Sequence, residues 1–325
     1  MFESLSLLNS NTWIWNLSWN FTATIDDFWV IGLIYKFNLK YFIGMFTNKI
    51  PNKIPTKNSE NRIFLYKIFR LFVSKSLVSS ASLRIKKYLF INTNFYQKPE
   101  FVITVGKEGH SLCNNIYGKK VNLLSVCSPN VIWDIKNIKN IKNDQYCLFI
   151  DESIGHAPDA KFLGYSTTSN LKEYYRNLNN CFLNVEAQLN CNVIIAASGK
   201  VEYEINPFYG REIIYGKTNI LTLSAELVIG HSSNGIFQAV CSGKPILITF
   251  DETFQQEKTN ACKNVASLIK VDAVKLSNVA DKHIQKSLIN KVNREDVVSK
   301  YFCKGGDIRE DYRKTIAQEI INREN

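Results

Sequence analysis

Several familiar patterns are missing from this sequence, and each absence excludes a class of protein. The 8 cysteines form no Cys-x-x-Cys pair and most lie in apolar runs, as Cys147 does, so we expect reduced core residues of a cytosolic protein. No Asp-x-Asp, His-Glu-x-x-His or clustered Cys/His spacing is present, so no metal site is expected. No zinc-ligand spacing, RNP-type motif or helix-turn-helix pattern indicates a nucleic-acid partner.

Long hydrophobic runs are also scarce. The N-terminus has no basic segment followed by an apolar block and a small-residue cleavage site, so secretion is not expected. The most apolar stretch, residues 28–46, is interrupted by Lys36 and Lys40, which makes it a poor membrane span. We therefore expect a cytoplasmic protein, with peripheral association at the inner face of the membrane as the alternative to a freely soluble one.

The size and charge of the chain set the scale of the fold and the type of partner. With 325 residues, of which 45% are hydrophobic, the chain is long enough for two domains of ordinary size. The formal net charge of +11 predicts anionic partners, without choosing among nucleotide, lipid head group and nucleic acid. Basic residues are scattered over 36–70 and 136–143, which is typical of a solvated face. Attraction to an anionic membrane carrying a lipid-linked acceptor is the functional alternative.

From residue 99 onward, apolar runs of strand length alternate with helical periodicity, which predicts an α/β fold with a doubly wound parallel sheet. The first hundred residues are less regular, with helices predicted over 60–75 and 78–88. We place the domain boundary between an irregular N-terminal domain, 1–144, and a Rossmann-like domain, 145–325. The predicted strands are 101–106, 121–126, 145–150, 192–197, 212–215, 227–230 and 246–250, and the predicted helices include 168–190, 218–225, 233–242 and 308–323.

The most informative stretch is 212–250, because a strand, a polar turn, a helix and a second strand follow one another without a break. The turn is His231-Ser232-Ser233-Asn234-Gly235, and Gly243-Lys244-Pro245 ends the helix before the next strand. A helix beginning at Ser232 or Ser233 would direct its free N–H groups at the crevice above the strand ends. Phosphate is the anion that suits such a position.

Two segments resemble bacterial glycosyltransferases of the GT-B fold that build surface polysaccharides such as capsule and lipooligosaccharide. The run GKTNILTLSAELVIGHSSNGIFQAVCSGKPIL is similar to their C-terminal domain. FIDESIGHAPDA, with the Tyr-Tyr helix and the strand NVIIAAS that follow, resembles the entry to that domain, including in sialyltransferase-like members. The resemblance covers about 99–250. It implies two Rossmann-like domains facing a cleft and metal-independent transfer of a sugar from a nucleotide to a glycan acceptor.

The resemblance also implies which residues bind the donor, a UDP- or CMP-linked sugar, with no further cofactor. Ser232 and Ser233, together with Asn234, fall where the family binds the donor phosphate. Lys217-Thr218 matches the Gly-Lys-Thr that begins a helix near the nucleotide, and the alternative for Thr218 is a plain N-cap. The chain departs from the family at Ser198, where related transferases often have the histidine of a His-Pro pair. The acid or base must therefore come from elsewhere.

Asp151 and Glu152, at the carboxyl end of a predicted strand, are the best-placed carboxylates for catalysis. A carboxylate there faces the ligand crevice and can take a proton from an acceptor hydroxyl. The alternative is that Asp151 caps the turn while Glu152 is solvated. His156, in the same loop, is a further candidate for orienting the carboxylate or contacting phosphate. His110, in a predicted GKEGHS loop, and His231, before the serine turn, are candidates for the cleft, and His231 has burial against the sheet as its alternative.

Other functional classes share parts of this pattern. A nucleotide-sugar 2-epimerase would have the same two-domain fold and a serine-glycine turn. Such enzymes carry an arginine and a Thr-Glu-Arg-Pro run after the Lys-Pro strand, where this chain has residues 251–255, without arginine or proline. A non-catalytic binding or assembly module is the other alternative, and Ser198 in place of histidine is consistent with it. The prediction is a glycosyltransferase, hexosyl- or sialyl-type, acting on a bacterial surface glycan.

Overall fold

The structure, a computed structural model, divides into two compact units, residues 1–126 and 127–325. It describes residues 13–16, 40–45, 100–117, 121–128, 145–156, 168–197, 199, 201–289, 294–304 and 311–324. The predicted domain boundary at 144/145 falls later than this division, at the end of the stretch 129–144, which lies outside the described residues. The helices predicted over 60–75 and 78–88 also lie outside the described residues.

The first unit contains a parallel sheet of four strands in the order β1-β2-β3-β4. These are β1 (Trp13–Asn16), β2 (Lys40–Met45), β3 (Phe101–Val105) and β4 (Asn122–Val126), with helix α1 (Gly106–Tyr117) between β3 and β4. The predicted glycine-containing loop at His110 was wrong, because these residues form α1. Gly106, with φ 65°, makes the turn into the helix, so this glycine begins a helix instead of marking a loop.

The second unit contains a six-stranded sheet flanked by helices. The strands predicted from apolar runs are present, and β5 shows why they are recognisable: all its residues are buried, as is typical of a parallel sheet covered on both faces. The strands are β5 (Tyr146–Ile150), β6 (Asn192–Ala197), β7 (Ile213–Tyr215), β8 (Leu227–Gly230), β9 (Ile246–Phe250) and β10 (Ala273–Lys275). The helices are α2 (Leu171–Leu189), α3 (Thr218–Ser224), α4 (Ile236–Cys241), α5 (Gln256–Leu268), α6 (Asp281–Ile289), α7 (Arg294–Tyr301) and α8 (Tyr312–Glu324).

The strand order of this sheet is β10-β9-β8-β5-β6-β7, with every pair parallel. From β5 the chain proceeds outward through β6 to β7, then returns to the other side of β5 to form β8 and proceeds outward through β9 to β10. This is the strand order of a doubly wound Rossmann fold. Two units with parallel sheets confirm the predicted α/β class.

Helix α2 covers the centre of this sheet. Its N-cap, Asn170, accepts a hydrogen bond from the Glu173 N–H at 3.1 Å, and Asn190 ends the helix in the left-handed conformation with φ 48°. The helix buries Tyr174, Leu178 and Phe182 on one stripe, and the Phe182 ring lies edge-on to Phe149 of β5 with centroids 5.1 Å apart. Burying each such side chain contributes roughly 1.5–3 kcal/mol.

The cysteines depart from the sequence prediction at one pair. Cys127, directly after β4, forms a disulfide with Cys303, although all cysteines were expected to be reduced. The two cysteines are separated by 176 residues, so no local spacing could have indicated the bond. Among the cysteines outside this disulfide, burial raises the pKa of Cys113 and Cys181 to about 12, which keeps both thiols protonated at neutral pH.

Within the part of the chain that the structure describes, no helix has both the length and the apolar character needed to cross a membrane.

The loop that follows β5 depends on Gly155, and this dependence is testable. Gly155 has φ 80°, and a Cβ there would lie 2.5 Å from Leu171 Cδ1. Gly210 has φ 79° and open space around its Cα, so it is a matched control for backbone strain alone. We expect Gly210→Ala to lower the free energy of unfolding by about 1 kcal/mol. Gly155→Ala should lower it by about 1 kcal/mol more, because Leu171 must also move.

Urea denaturation of the two variants and the wild-type chain measures both effects. Equal losses for Gly155→Ala and Gly210→Ala would show that the packing of Gly155 against Leu171 does not constrain the loop.

Candidate functional site

The candidate site lies where the strand order reverses, at the carboxyl ends of β5 and β8. These strands are neighbours in the sheet, with Phe149 opposite Ile229. The chain leaves β5 through a loop at residues 151–156, here called the acidic loop, and leaves β8 through a turn at residues 231–235, here called the serine turn. In open α/β sheets ligands bind in the crevice at this reversal. The two segments that the sequence singled out therefore meet at the position where a ligand is expected.

Asp151 is the first residue of the acidic loop and is almost fully buried, with 6% of its surface exposed. Its Oδ1 accepts a hydrogen bond from the Ser153 N–H at 2.9 Å, and its Oδ2 accepts one from the Tyr203 hydroxyl at 2.6 Å. The predicted turn-capping role of Asp151 is therefore present in the structure. Tyr203 had no signal in the sequence, because it lies in an irregular stretch between β6 and β7.

Burial raises the pKa of Asp151 from an ordinary value of 3.8 to about 6, although the hydrogen bonds from Tyr203 and Ser153 favour the ionised form. A carboxylate with a pKa near neutrality is suited to accept a proton from a hydroxyl. Burial also raises the pKa of Tyr203, and the neighbouring Asp151 raises it further, so the Tyr203 hydroxyl stays a hydrogen-bond donor.

Glu152 is held at the serine turn by an ion pair and by hydrogen bonds. The Ser232 N–H donates to Glu152 Oε1 at 2.6 Å, and the Ser232 hydroxyl donates to Oε2 at 3.4 Å. Lys258, in the first turn of α5, forms a salt bridge with Oε2 and also donates to Ser232 Oγ at 2.8 Å. The alternative in which Glu152 is solvated was wrong, since only 16% of its side chain is exposed.

The pKa of Glu152 is shifted in the opposite direction from the pKa of Asp151. Burial alone would raise the pKa of Glu152, but the Lys258 ammonium and the hydrogen bonds from Lys258 and Ser232 lower it below the ordinary value. Glu152 is therefore ionised at neutral pH and is not a proton acceptor. Sequence reasoning missed Lys258, because it is one of 40 basic residues and lies in a region with weak helical periodicity.

The helix after the serine turn begins later than predicted. Helix α4 begins at Ile236, with Gly235 as N-cap, and not at Ser232 or Ser233. The N–H groups of Ile236 and Phe237 donate to the carbonyl oxygens of Ser233 and Asn234 at 3.1 Å, so the helix does not direct them at a ligand. Two glycines keep the turn close to the sheet: a Cβ on Gly230 would lie 2.6 Å from Ile236 Cδ1, and one on Gly235 would lie 3.1 Å from Ile150 Cγ2.

The other predicted donor-binding residues lie around this turn. Ser233 is half-buried and its Oγ accepts a hydrogen bond from the Gly235 N–H at 3.2 Å, while Asn234 is exposed. Lys217 is exposed and is the N-cap of α3, without a side-chain capping bond, so Thr218 is the first helical residue and not the N-cap. Ser198 lies outside the described residues.

His231 is a core residue rather than a residue of a cleft. It is fully buried, and its Nδ1 lies 2.9 Å from the Thr249 carbonyl oxygen. Because a carbonyl only accepts, Nδ1 carries the proton, and Nε2 accepts from the Tyr174 hydroxyl at 3.0 Å. Burial lowers the pKa of His231 to about 4, so the ring is neutral. Both nitrogens are thus used inside the protein, and His231 anchors the start of the serine turn.

The remaining histidine candidates occupy different positions. His156, at the end of the acidic loop, is exposed and lies edge-on to the Tyr203 ring, with centroids 5.1 Å apart. It is therefore next to the tyrosine that binds Asp151. His110 belongs to the first unit, where its Nδ1 lies 3.4 Å from Ser125 Oγ.

A further polar cluster follows β9 and was not predicted. Asp251 is buried and accepts hydrogen bonds from the Thr253 N–H and hydroxyl and from the Asn177 side chain. Thr253 also contacts Thr168, which precedes α2. The cluster fixes the loop after β9 to α2. Within the described residues, no group of three or more histidine, cysteine or acidic side chains is placed to hold a metal ion.

A cavity of about 450 Å³ lies elsewhere in the second unit. It is lined by Tyr146 and Asn192, the first residues of β5 and β6, and by Glu186 and Arg211. The acidic loop follows the last residue of β5, so the cavity is at the opposite end of the strands from the candidate site.

Comparison with known proteins gives similarities at the level of structure only. No protein-family model and no curated protein matches the sequence. The glycotransferase of kitacinnamycin has a TM-score of 0.46 at 10% identity, covering 90% of this chain and 72% of that one. Arabidopsis thaliana UGT89C1 complexed with UDP has a TM-score of 0.47 at 8% identity, covering 98% and 75%. The glycosyltransferase SnogD from Streptomyces nogalater has a TM-score of 0.41 at 11% identity, covering 75% and 62%.

The raised pKa of Asp151 predicts a stability difference between the wild-type chain and Asp151→Asn that changes with pH. Below about pH 4 the carboxyl is protonated in both the folded and the unfolded chain, so its full contribution is present. As the pH rises through about 6, the folded carboxyl ionises in buried surroundings, which costs free energy that the unfolded chain does not lose. The stabilising contribution of the protonated carboxyl to folding is therefore lost. The free energy of unfolding of Asp151→Asn, relative to that of the wild type, should therefore increase by on the order of 2–3 kcal/mol between acid and neutral pH.

Urea denaturation at about pH 4 and about pH 7.5 measures this change, and other titrating groups cancel in the comparison. Tyr203→Phe removes a donor to the ionised carboxylate, so it should raise the pKa of Asp151 further and move the midpoint of the change to higher pH. A difference between wild type and Asp151→Asn that is the same at both pH values would contradict the raised pKa.

Proposed function

We propose that this protein is a glycosyltransferase that takes a sugar from a nucleotide-sugar donor. The observation that carries the proposal is the convergence, at the reversal of strand order, of a buried carboxylate with a pKa near neutrality and a serine turn with a neighbouring lysine. The first is a proton acceptor for an attacking hydroxyl, and the second provides donors for a phosphate leaving group. Both are needed for transfer from a sugar phosphate.

In this proposal the serine turn binds the phosphate of the donor. Ser232 and Ser233 contribute hydroxyls, and Asn234 is exposed on the same turn. Thr218, at the start of α3, lies beside the turn, because a Cβ on Gly235 would be 3.2 Å from Thr218 Cγ2, and Lys217 precedes it in the chain. Stabilising the negative charge that develops on the departing phosphate is the larger contribution to the rate. Donor types remain UDP- or CMP-linked sugars, as in the sequence prediction.

Asp151 is the proposed base. The Tyr203 and Ser153 hydroxyls both donate to Oδ2, whereas Oδ1 accepts from the Ser153 N–H. Each carboxylate oxygen has two lone pairs, so Oδ1 is the proposed acceptor for the proton of a substrate hydroxyl. Proton transfer to Asp151 as the hydroxyl attacks the anomeric carbon gives a neutral carboxyl, which its buried surroundings favour. His156 and Tyr203 lie beside this carboxylate and would contact the acceptor.

The acceptor class follows from the sequence resemblance alone. Surface glycans such as capsule or lipooligosaccharide are the proposed acceptors, built on a lipid carrier at the inner face of the membrane. The net charge of +11 supports association with an anionic surface of this type. Metal-independent transfer is part of the same proposal, because Lys258 and the serine turn supply the positive charge that a metal would otherwise bring to the phosphate.

The direct test is incubation of the protein with radiolabelled UDP- and CMP-sugars in the presence of a chelator, with release of the nucleotide as the readout. We expect slow hydrolysis of one donor class, faster with a glycan acceptor, and a rate that rises as the pH passes through about 6, because Asp151 must be ionised. Asp151→Asn should lower the rate about 10²- to 10⁴-fold while calorimetry shows donor affinity unchanged.

Two results would contradict this function. If no UDP- or CMP-sugar binds or reacts, the protein does not use these donors. If a donor binds without turnover, and Asp151→Asn changes nothing, the chain is a binding module rather than an enzyme.

A further inference from the structure

The serine turn already binds an anion in this structure, and that anion is a side chain of the protein. Three donor groups meet on the Glu152 carboxylate: the Ser232 N–H, the Ser232 hydroxyl and the Lys258 ammonium. The Lys258 ammonium donates to Ser232 Oγ as well as to Glu152, so the donors form one connected cluster, here called the Lys258 cluster. A backbone N–H, a hydroxyl and an ammonium are also the donors that phosphate oxygens accept.

The burial of this ion pair argues that stability is not its main role. The side chains of Lys258 and Glu152 are only 12% and 16% exposed, and removing both charges from water costs free energy that their attraction barely repays. An apolar pair would fill the same space without that cost. The pair also lies at the reversal of strand order, where ligands of open α/β sheets bind, and not in a distant part of the core.

We infer that the Lys258 cluster is the binding element for the donor phosphate, and that Glu152 occupies it as an internal substitute which the phosphate displaces. The identity of the anion rests on the proposed function, whereas the displacement rests on the geometry alone. Glu152 is a competitive occupant of the site: its carboxylate satisfies Lys258 and Ser232 in the empty enzyme and moves to solvent when a more highly charged phosphate takes its place.

The inference predicts opposite effects for the two members of the ion pair. Glu152→Gln removes the competing charge and leaves Lys258 and Ser232 as donors, so inorganic pyrophosphate and UDP should bind at least about tenfold more tightly, a change of about 1.4 kcal/mol. Lys258→Gln should abolish pyrophosphate binding, and Lys258→Arg should retain it. A purely structural ion pair predicts that both glutamine variants weaken binding together.

Matched controls separate this effect from a general change of charge. Arg211 and Glu186 form an ion pair of similar burial, 10% and 22% exposed, at the opposite end of the strands. The Val193 N–H and Arg211 Nε and Nη2 donate to the Glu186 carboxylate, so Glu186→Gln removes the same charge beside a comparable set of donors, away from the reversal of strand order. Glu186→Gln should leave pyrophosphate affinity unchanged. Uridine, which has no phosphate, should bind equally to the wild-type protein and to Glu152→Gln.

Isothermal titration calorimetry of the full chain with pyrophosphate, UDP, CMP and uridine measures these affinities. Lys258→Gln leaves Glu152 without its partner and could lose its fold. The double variant Glu152→Gln/Lys258→Gln has no unpaired charge and therefore tests the loss of binding in a folded protein. Unchanged or weaker phosphate binding by folded Glu152→Gln would overturn the inference, even if the wild-type protein proves to be a glycosyltransferase. Tighter pyrophosphate binding by Glu152→Gln, in a protein that turns over no nucleotide sugar, would support the inference and contradict the proposed function.

Discussion

The parallel pairing of β5 with both β6 and β8 is the constraint on which the candidate site depends. Because β5 is central, the chain must leave the sheet on one side, return across it and continue on the other. That return brings residues 151–156 and 231–235 to the same edge of the sheet, although 80 positions separate Glu152 from Ser232 in the sequence. The buried Tyr174, His231 and Thr249 side chains hold this arrangement, since they tie α2, the serine turn and β9 into one hydrogen-bonded chain.

The pKa values of two adjacent carboxylates at this edge are shifted in opposite directions because their side chains lie in different surroundings. Asp151 is turned inward, toward the aromatic side chains of Tyr203 and its neighbours, and burial raises its pKa to about 6. Glu152 reaches across to the serine turn, where Lys258 lowers its pKa. A carboxyl group with a pKa of about 6 and an ionised carboxylate are thus placed side by side by the fold, although both residues are of the same chemical type.

The strands were predictable because a parallel sheet buries both faces, so YCLFI at 146–150 and ILITF at 246–250 read as continuous apolar runs. The positions of Asp151 and Ser232 were predictable for the same reason, since each directly follows or closely follows such a run. The contacts within the site were not predictable from the sequence. Lys258 and Tyr203 carry no local signal, and whether His231 faces a ligand or the core depends on what Tyr174 and Thr249 do, which only the packed structure shows. The start of α4 was misplaced because serines that suit an N-cap form a turn before Gly235 instead.

The burial of His231 determines which group of the serine turn could balance the charge of a phosphate. His231 is neutral and enclosed, whereas the Lys258 ammonium donates to Ser232 Oγ on the serine turn. A lysine donor stabilises an anion in place through a charge-assisted hydrogen bond. In the proposed transfer, the leaving group would be stabilised electrostatically and Asp151 would accept the proton. The pairing of Glu152 with Lys258 has a clear physical reason, because an unpaired buried ammonium beside Ser232 would cost several kcal/mol.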